Sequence, residues 1–438
     1  MPIWQPRFTD PTGTAVEMTH EGLLDACRAY HRDFYSTDAT GGATAPATWS
    51  LLGEHTDHSG GVVLSSIAQW AVAVTVSAND YALIRVGIAR GDGERGVDKH
   101  SISVEEIAKR ATIQQATVDA HGRLMAVPVP EGGAAARLGG IAWTMIHRQM
   151  LSRDTCGLDI TVVSNIPPQA GLGESEAADV AAALALFTED TSEPPVRARL
   201  AEICSQAADT FAQLSPLRAR HTVALRGEHG AVSVTDYSDG SVTQAPHPVS
   251  KSAGLRAFAV SAPDTCPIDN EPHEPRRRRN FIDEATRAFS VESLRLLPDA
   301  TTRVVDWLQA AREVTGRQDL PTVEQARNWL NFWEEETLRA QQLAGALRSR
   351  RRQDIASLIQ TSQHDLICLY GVPTTDEAVA QLCLSRGALS ARSASAGITH
   401  GVITLIDAPK ASNFSADLAE DGLLVVPLGH GNIAQKYF

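Results

Sequence analysis

The densest run of chemistry-bearing residues lies at 51–61, LLGEHTDHSGG, where Glu54, His55 and Asp57 fall within four positions between Gly53 and the pair Gly60-Gly61. Carboxylates accept hydrogen bonds and an imidazole donates or accepts them, so the three together suit a polyhydroxyl ligand such as a sugar. Val62-Val63-Leu64 follows at once, which puts the cluster on a turn tied to a buried element, the usual place of a binding loop on a rigid scaffold. A second candidate is residues 159–186, DITVVSNIPPQAGLGESEAADVAAALAL: a strand, a loop holding Gly171, Leu172 and Gly173, and a helix that begins near Ser175. The glycines permit close backbone approach and the first helical amides carry a partial positive charge, which together hold a phosphate without lysine. The same residues also read as a plain strand–turn–helix with a serine N-cap. Glu174, Glu176 and Asp179 sit at the helix start, where acids stabilise the helix but repel a polyanion by ~4 kcal/mol per close charge pair at an effective dielectric near 20. Magnesium would turn one of these carboxylates from obstacle to ligand. A third segment, 387–401 (GALSARSASAGITHG), is dense in Gly, Ala and Ser and suits tight backbone packing between a helix and a strand.

The elements expected to position these residues mix helix and strand. Periodicity predicts a helix over 21–35, a polar linker over 36–44, and a strand over 67–76 with 81–86 as its hairpin partner. A charged loop at 91–99 and a helix at 139–151 lead into a strand at 158–164, then helices at 175–187 and 196–211. Residues 223–225 and 231–237 read as a β-pair, 255–260 as a strand, and Arg276–Arg279 as a basic knot. A mainly helical stretch over 281–369 precedes a helix at 376–386 and strands at 402–406 and 423–427. Without regular βαβ alternation, the order favours α+β over a doubly wound sheet.

Composition narrows the partners. A formal net charge of −13 argues against nucleic acid and against an anionic membrane surface. Lysine occurs only at 99, 109, 251, 410 and 436, never after a glycine-rich loop, which excludes a Walker-type site. No segment reaches the roughly 20 apolar residues of a membrane helix, and the start MPIWQPRF lacks the basic and apolar regions of a signal peptide. The six cysteines are scattered with no C-x-x-C pair, as expected of reduced thiols in a cytoplasmic protein.

Taken in order, the three segments resemble the galactokinase branch of the GHMP small-molecule kinases. Ala45-Pro46 with 51–61 is similar to the family motif A-P-G-R-V-N-L-I-G-E-H-T-D-Y-N-G-G, residues 167–177 to the phosphate loop P-x-G-x-G-L-S-S-S-A-A, and 387–397 to G-A-L-G-A-R-M-T-G-A-G. The resemblance implies a two-domain fold, an N-terminal domain like ribosomal protein S5 over 1–215 and a ferredoxin-like C-terminal domain over 216–438, with the site in the cleft between them. It implies sugar at Glu54, His55 and Asp57, nucleotide phosphates at Gly171, Leu172, Gly173, Glu174 and Ser175, ATP as phosphoryl donor, and Mg²⁺ at Ser175 and Glu174.

The departures fall on the catalytic half. The family's catalytic arginine position holds Thr48, its catalytic aspartate position falls on Ala219 or Arg220, and a sugar-contacting tyrosine aligns with Pro275. Loss of a positioned base costs ~10²–10⁴ in rate, and loss of a charge-stabilising cation as much or more. Arg220 as a cation and His221 or Asp209 as base are the candidates for rescue. Two functions follow: an ATP-dependent sugar 1-kinase of weakened or lost activity, or an impaired relative that binds sugar or a protein partner and acts by sensing or regulation. A Glu174 carboxylate that caps its own helix and fills the phosphate position would disfavour nucleotide.

Overall fold

The computed structural model describes residues 3–90, 97–115, 117, 127–250, 253–262, 274–317, 319–372, 374–397 and 401–438. In chain order its elements are α1 (His20–Tyr35), β1 (Gly41–Leu52), β2 (Val62–Ala78), β3 (Leu83–Arg90), β4 (Asp98–Ser103), α2 (Val104–Ile113), α3 (Ala134–His147), β5 (Leu158–Ser164), α4 (Glu174–Leu186), α5 (Pro194–Phe211), α6 (Arg218–Arg226), β6 (Ala231–Asp236) and β7 (Ser241–Pro246). There follow β8 (Leu255–Ser261), α7 (Glu274–Ala288), α8 (Ala300–Thr315), α9 (Val323–Arg348), α10 (Arg352–Asp365), α11 (Thr374–Ser385), β9 (Ser390–Ser393), β10 (Gly401–Asp407), α12 (Ala411–Glu420), β11 (Leu424–Leu428) and β12 (Gln435–Lys436). The fold is α+β, as the sequence predicts.

Two sheets organise it. The first has the order β12-β1-β2-β5-β3-β4, with the hairpin β6-β7 joined to β2. Strand β2 is long enough to serve two partners: Val72–Ala78 pairs with β5 and Val62–Ser65 with β6. This sheet collects strands from both sides of residue 215, because β6, β7 and β12 all join it. The second sheet, β11-β8-β10-β9, is antiparallel throughout and packs Phe258, Val402 and Val425 against α11 and α12 through Cys383, Phe414 and Leu418. A third apolar cluster joins α7, α8 and α9 through Phe281, Leu308, Trp329 and Trp333.

Helix α4 carries the phosphate-loop candidate into the first sheet. Its AADVAAALAL run is buried from Val180 to Leu186, and it packs on β1 and β2. Small side chains let the backbones approach: a Cβ on Gly41 would meet the Ala185 carbonyl oxygen at 2.2 Å.

Three expectations are corrected. Residues 81–86 do not pair with 67–76: β3 pairs antiparallel with β4 and parallel with β5, which lies between it and β2. The parallel pairing needs a crossover, and α2 and α3 supply it. Residues 223–225 lie in α6, where Ala219 and Val223, four apart, share a buried helical face; a short apolar run does not distinguish strand from helix. The polar linker ends early, since β1 begins at Gly41. Of the charged loop at 91–99, residues 91–96 lie outside the described residues and Asp98-Lys99 open β4.

Candidate functional site

The loop after β5 turns on two glycines in the left-handed region, Gly171 (φ 71°) and Gly173 (φ 69°). Gly173 is the N-cap of α4, and no side chain caps the helix. A Cβ at Gly173 would come within 2.9 Å of both Arg220 Nη1 and Thr48 Oγ1, so these two side chains lie directly against the loop.

Arg220 is 1% exposed, and its guanidinium joins all three motif segments. Nη1 donates to the Thr48 carbonyl (2.6 Å) and hydroxyl (3.3 Å). Nη2 donates to the Gly171 carbonyl (2.7 Å) and Ser395 Oγ (2.8 Å), and lies 3.4 Å from Glu54 Oε1. Thr48 and the Ala219-Arg220 pair, where the resemblance expects the catalytic arginine and aspartate, therefore lie together, and the side chains that meet there are a hydroxyl and a guanidinium. Guanidinium stays protonated in proteins and accepts no proton, so it does not replace a carboxylate base. Ala219, the other candidate for that position, contributes a backbone N–H to Asp57 Oδ2 (3.4 Å).

Glu54, expected to face a sugar, faces the interior. It is 1% exposed; Oε1 accepts from the Ser395 amide (3.0 Å) and Oε2 from Arg392 Nη1 (2.7 Å). Arg392 continues to Glu336 Oε1 (3.2 Å) and Ser362 Oγ (2.8 Å), and Glu336 also accepts the Gly53 amide (3.0 Å). Arg339 then links Glu336 to Asp365. The result is an alternating buried chain, Arg220–Glu54–Arg392–Glu336–Arg339–Asp365, that ties the turn at 53–54 to α9, α10 and β9. Sequence reasoning missed Arg392, Glu336 and Arg339. The available signal was Arg392 set among small residues in GALSARSASAG, where a long cation has nothing but the interior to fill.

The acids at the start of α4 are neutralised. Glu174 accepts from Arg90 Nε (3.2 Å) and caps nothing. Arg137 grips Asp179 through Nε (2.8 Å) and Nη2 (2.6 Å) and reaches Glu176 (3.3 Å). Burial alone would raise the Glu176 and Asp179 carboxyls, but Arg137 together with His221, and Arg220 in the case of Glu176, holds both below their usual range. Ser175 is exposed, and the Glu174 side chain is turned to Arg90, so the expected Mg²⁺ pair is not preformed. Neither candidate base is free. His221 is fully buried between Asp179 Oδ2 (3.1 Å) and Ser205 Oγ (3.0 Å), and Asp209 is chelated by Arg279.

His55 and Asp57 lead elsewhere. His55 takes a left-handed backbone (φ 68°), places Nε2 3.2 Å from the Ser395 carbonyl, and stacks on Tyr370 at 5.3 Å between centroids. A carbonyl only accepts, so Nε2 carries the proton and Nδ1 is left an acceptor. Burial pushes its pKa down to about 4. His58 repeats the pattern on the Pro216 carbonyl (3.2 Å). Burial alone would raise the Asp57 carboxyl; His58 and Arg218 outweigh it and hold it below its usual range.

His55 and His58 line one side of a pocket whose other walls come from α7, α9 and Tyr370. Pro275, at the family's tyrosine position, Arg278 and Arg279 face it from α7, and Trp329, Phe332 and Trp333 from α9. The pocket is small, with a cavity volume of ≈ 30 Å³. The basic knot is thus resolved residue by residue. Arg277 pairs with Glu274 (3.2 Å), Arg279 with Asp209, and Arg276 with the Asp209 and Ala212 carbonyls, while Arg278 lies over the Tyr370 ring at 4.1 Å.

The chain is similar to known proteins over most of its length. The galactokinase galactose-binding signature matches residues 29–78, and the GHMP kinases N terminal domain matches residues 138–215. A galactokinase of Streptomyces coelicolor is 23% identical over 86% of this chain and 87% of its own length. Galactokinases of Canis lupus familiaris and Homo sapiens are 24% and 23% identical over 91% of this chain and 92% of theirs. The structure of Lactococcus lactis galactokinase complexed with galactose superposes with a TM-score of 0.69 at 15% identity, covering 95% of this chain and all of that one; a mevalonate kinase gives 0.53 at 12%, over 89% of this chain and 99% of its own. The fold is that of the GHMP kinases. The matches support membership of their galactokinase branch.

Proposed function

We propose that this chain is a sugar-binding member of the galactokinase family whose phosphoryl-transfer centre is closed, and that it acts by binding rather than by turnover. The observation that carries the reading is Arg220, a buried guanidinium bonded to Gly171, to Ser395 and to Thr48, the residue at the family's catalytic arginine position. Phosphoryl transfer is catalysed by positioning and by neutralising developing charge. Here the nearest cation is committed to backbone carbonyls, and His221 and Asp209 are both paired away from the loop.

Family membership implies ATP as donor, with Mg²⁺ its usual companion. For this chain we propose weak nucleotide binding at 171–175, because Arg90 and Arg137 are already spent on Glu174, Glu176 and Asp179. The sugar is placed at the His55–His58 turn, and a protein partner would read the bound state. No described helix is long and apolar enough to cross a membrane, and the described cysteines are free, which supports a reducing, cytoplasmic setting.

The intact Glu54-His55-Thr56-Asp57 sequence favours the second reading, a slow sugar 1-kinase. A coupled assay of ADP release with galactose and Mg-ATP, beside calorimetry with each ligand, decides between them. Sugar binding without turnover supports the proposal. Galactose-dependent release at ordinary enzyme rates, about 1–10³ s⁻¹, overturns it.

A further inference from the structure

Residues 429–434, GHGNIA, strap the two sheets together, leaving β11 of the second and entering β12 of the first. Backbone bonds hold the strap in place. The Gly429 amide donates to Gln69 Oε1 (2.6 Å), the Gly431 amide to the Ile67 carbonyl (3.4 Å) and the Ala434 amide to the Ala224 carbonyl (2.8 Å). A Cβ on Gly431 would meet the Ala68 carbonyl oxygen at 2.0 Å, so the strap lies flat on β2. A stack of imidazoles adds to these ties. His430 lies between His229, in the turn before β6, and His247, after β7, with ring centroids 5.7 and 4.5 Å apart, and His247 meets the buried Trp49 ring at 5.6 Å. His229 Nδ1 reaches the Gly431 carbonyl (2.9 Å).

The closed stack does not accommodate charge. His247 is 2% exposed, and its Nδ1 accepts from the Val249 amide (3.0 Å). Its one proton is therefore on Nε2, and a second would have to face that amide. An imidazolium donates from both nitrogens, yet His247 Nε2 and His430 Nδ1 are buried without a partner. A carbonyl only accepts, so His229 Nδ1 carries its proton, and His229 alone charges without losing its bond to the strap. Among the described residues the surrounding elements bring no counter-charge inward. β1 and β2 present Trp49 and the neutral Gln69, and the strap has no ionisable side chain besides His430. Arg197 is turned to the Ala434 carbonyl and Arg348 of α9 to Thr243 on β7, while Glu228, beside His229, is exposed. Burial first, then the charges of His430 and His229, push His247 down to about 3, and burial with His229 lowers His430.

We propose that the strap is an acid-released latch: protonation of the His229–His430–His247 stack favours a form in which residues 429–434 lift from β2 and the three imidazoles part. Neutral rings pack against one another, whereas charged ones repel and are drawn to water. The closed strap binds fewer protons than the open one, so closure is fully favoured above about pH 6.5 and weakens as pH falls below it. A single histidine that titrates near 6.5 when open and at about 3 when closed favours opening ~30-fold at pH 5 relative to pH 7.5. Release frees the edge of β1, to which β12 pairs at Ala43 and Thr44.

The test is hydrogen exchange of the full chain, read by mass spectrometry at pH 7.5 and pH 5.0 with rates corrected for intrinsic chemical exchange, and repeated on His247→Asn and His430→Gln. The peptide spanning 429–434 is expected to lose ~10- to 30-fold in protection at the lower pH, while peptides from β10 keep theirs. His247→Asn retains an acceptor for the Val249 amide but does not titrate, and is expected to remove most of that step; His430→Gln is expected to reduce it a few-fold. Strap protection equal at both pH values, a loss shared equally by β10, or a step that survives His247→Asn intact overturns the inference. Should His247→Asn fail to fold, His430→Gln decides: a smaller step supports the latch, and an unchanged one overturns it.

Discussion

Arg220, in α6, and Arg278, in α7, are both buried arginines, and they behave in opposite ways. Arg220 donates through both terminal nitrogens to Thr48, Gly171 and Ser395 and touches Glu54. Arg278 has two nitrogens without a partner and rests on an aromatic ring. A cation whose donors are met from within the chain holds structure together. One whose donors are left without partners contributes less to holding it. Under the proposed reading, the contrast sets a phosphate side used as scaffold against a sugar-side wall that is less tightly bonded.

The largest effect that tests this contrast is on stability. Arg220→Met strips a buried carboxylate and two buried carbonyls of their donor, and breaking such a pair typically costs about 3–5 kcal/mol. Denaturant unfolding is expected to show a loss of that order; a near-neutral result would mean Arg220 is not the clasp described. Glu336→Gln leaves Arg392 and Arg339 facing a neutral amide, and a smaller loss, ~2 kcal/mol, is expected from the same measurement.

Protonation gives the next effect. Burial lowers His55 to about 4 and His247 to about 3, whereas in the unfolded chain both titrate near 6.5. Between these values the unfolded state binds more protons, so stability is fully present above pH 6.5 and falls as pH drops toward 4. Thermal melts from pH 7.5 to 4.5 are expected to show a falling midpoint, and His55→Gln to flatten the slope. A midpoint independent of pH over that range contradicts the buried, neutral assignment.

Arg278→Met is expected to change stability by less than about 1 kcal/mol, since only a cation–π contact and a long ion pair are lost. A loss as large as that of Arg220→Met would erase the contrast. The smallest effect belongs to Glu174→Ser. Glu174 is partly exposed and paired with Arg90, so stability is expected to move within about 0.5 kcal/mol, with no gain in Mg-ATP affinity by calorimetry while Arg220 remains. A clear gain would show that Glu174, not Arg220, keeps nucleotide out.

Much of this was legible in the chain. The apolar strand at 158–164, the alanine-rich helix after Gly173 and the helical stretch beyond 281 follow from composition and period. The turn at 53–61 was recognisable because glycines bracket a polar cluster: Gly53 has φ 93°, and a Cβ on Gly61 would meet Thr56 Oγ1 at 2.3 Å. Sheet order was not legible. Residues 81–86 follow 67–76 closely in sequence, yet β5 comes between them, because strand neighbours are chosen by long-range packing rather than by spacing along the chain.

What the sequence determined by itself was the family resemblance and the α+β class, since those depend only on which residue stands where. What the tertiary structure decided was the direction of each side chain. Glu54 carries the family's motif and nonetheless points to Arg392, 338 positions away, while Arg278, one of a run of four arginines, lies over the Tyr370 ring. Sequence records the charges; only folding fixes which of them meet inside, where a buried charge must find a partner and the chain brings that partner from a distant segment.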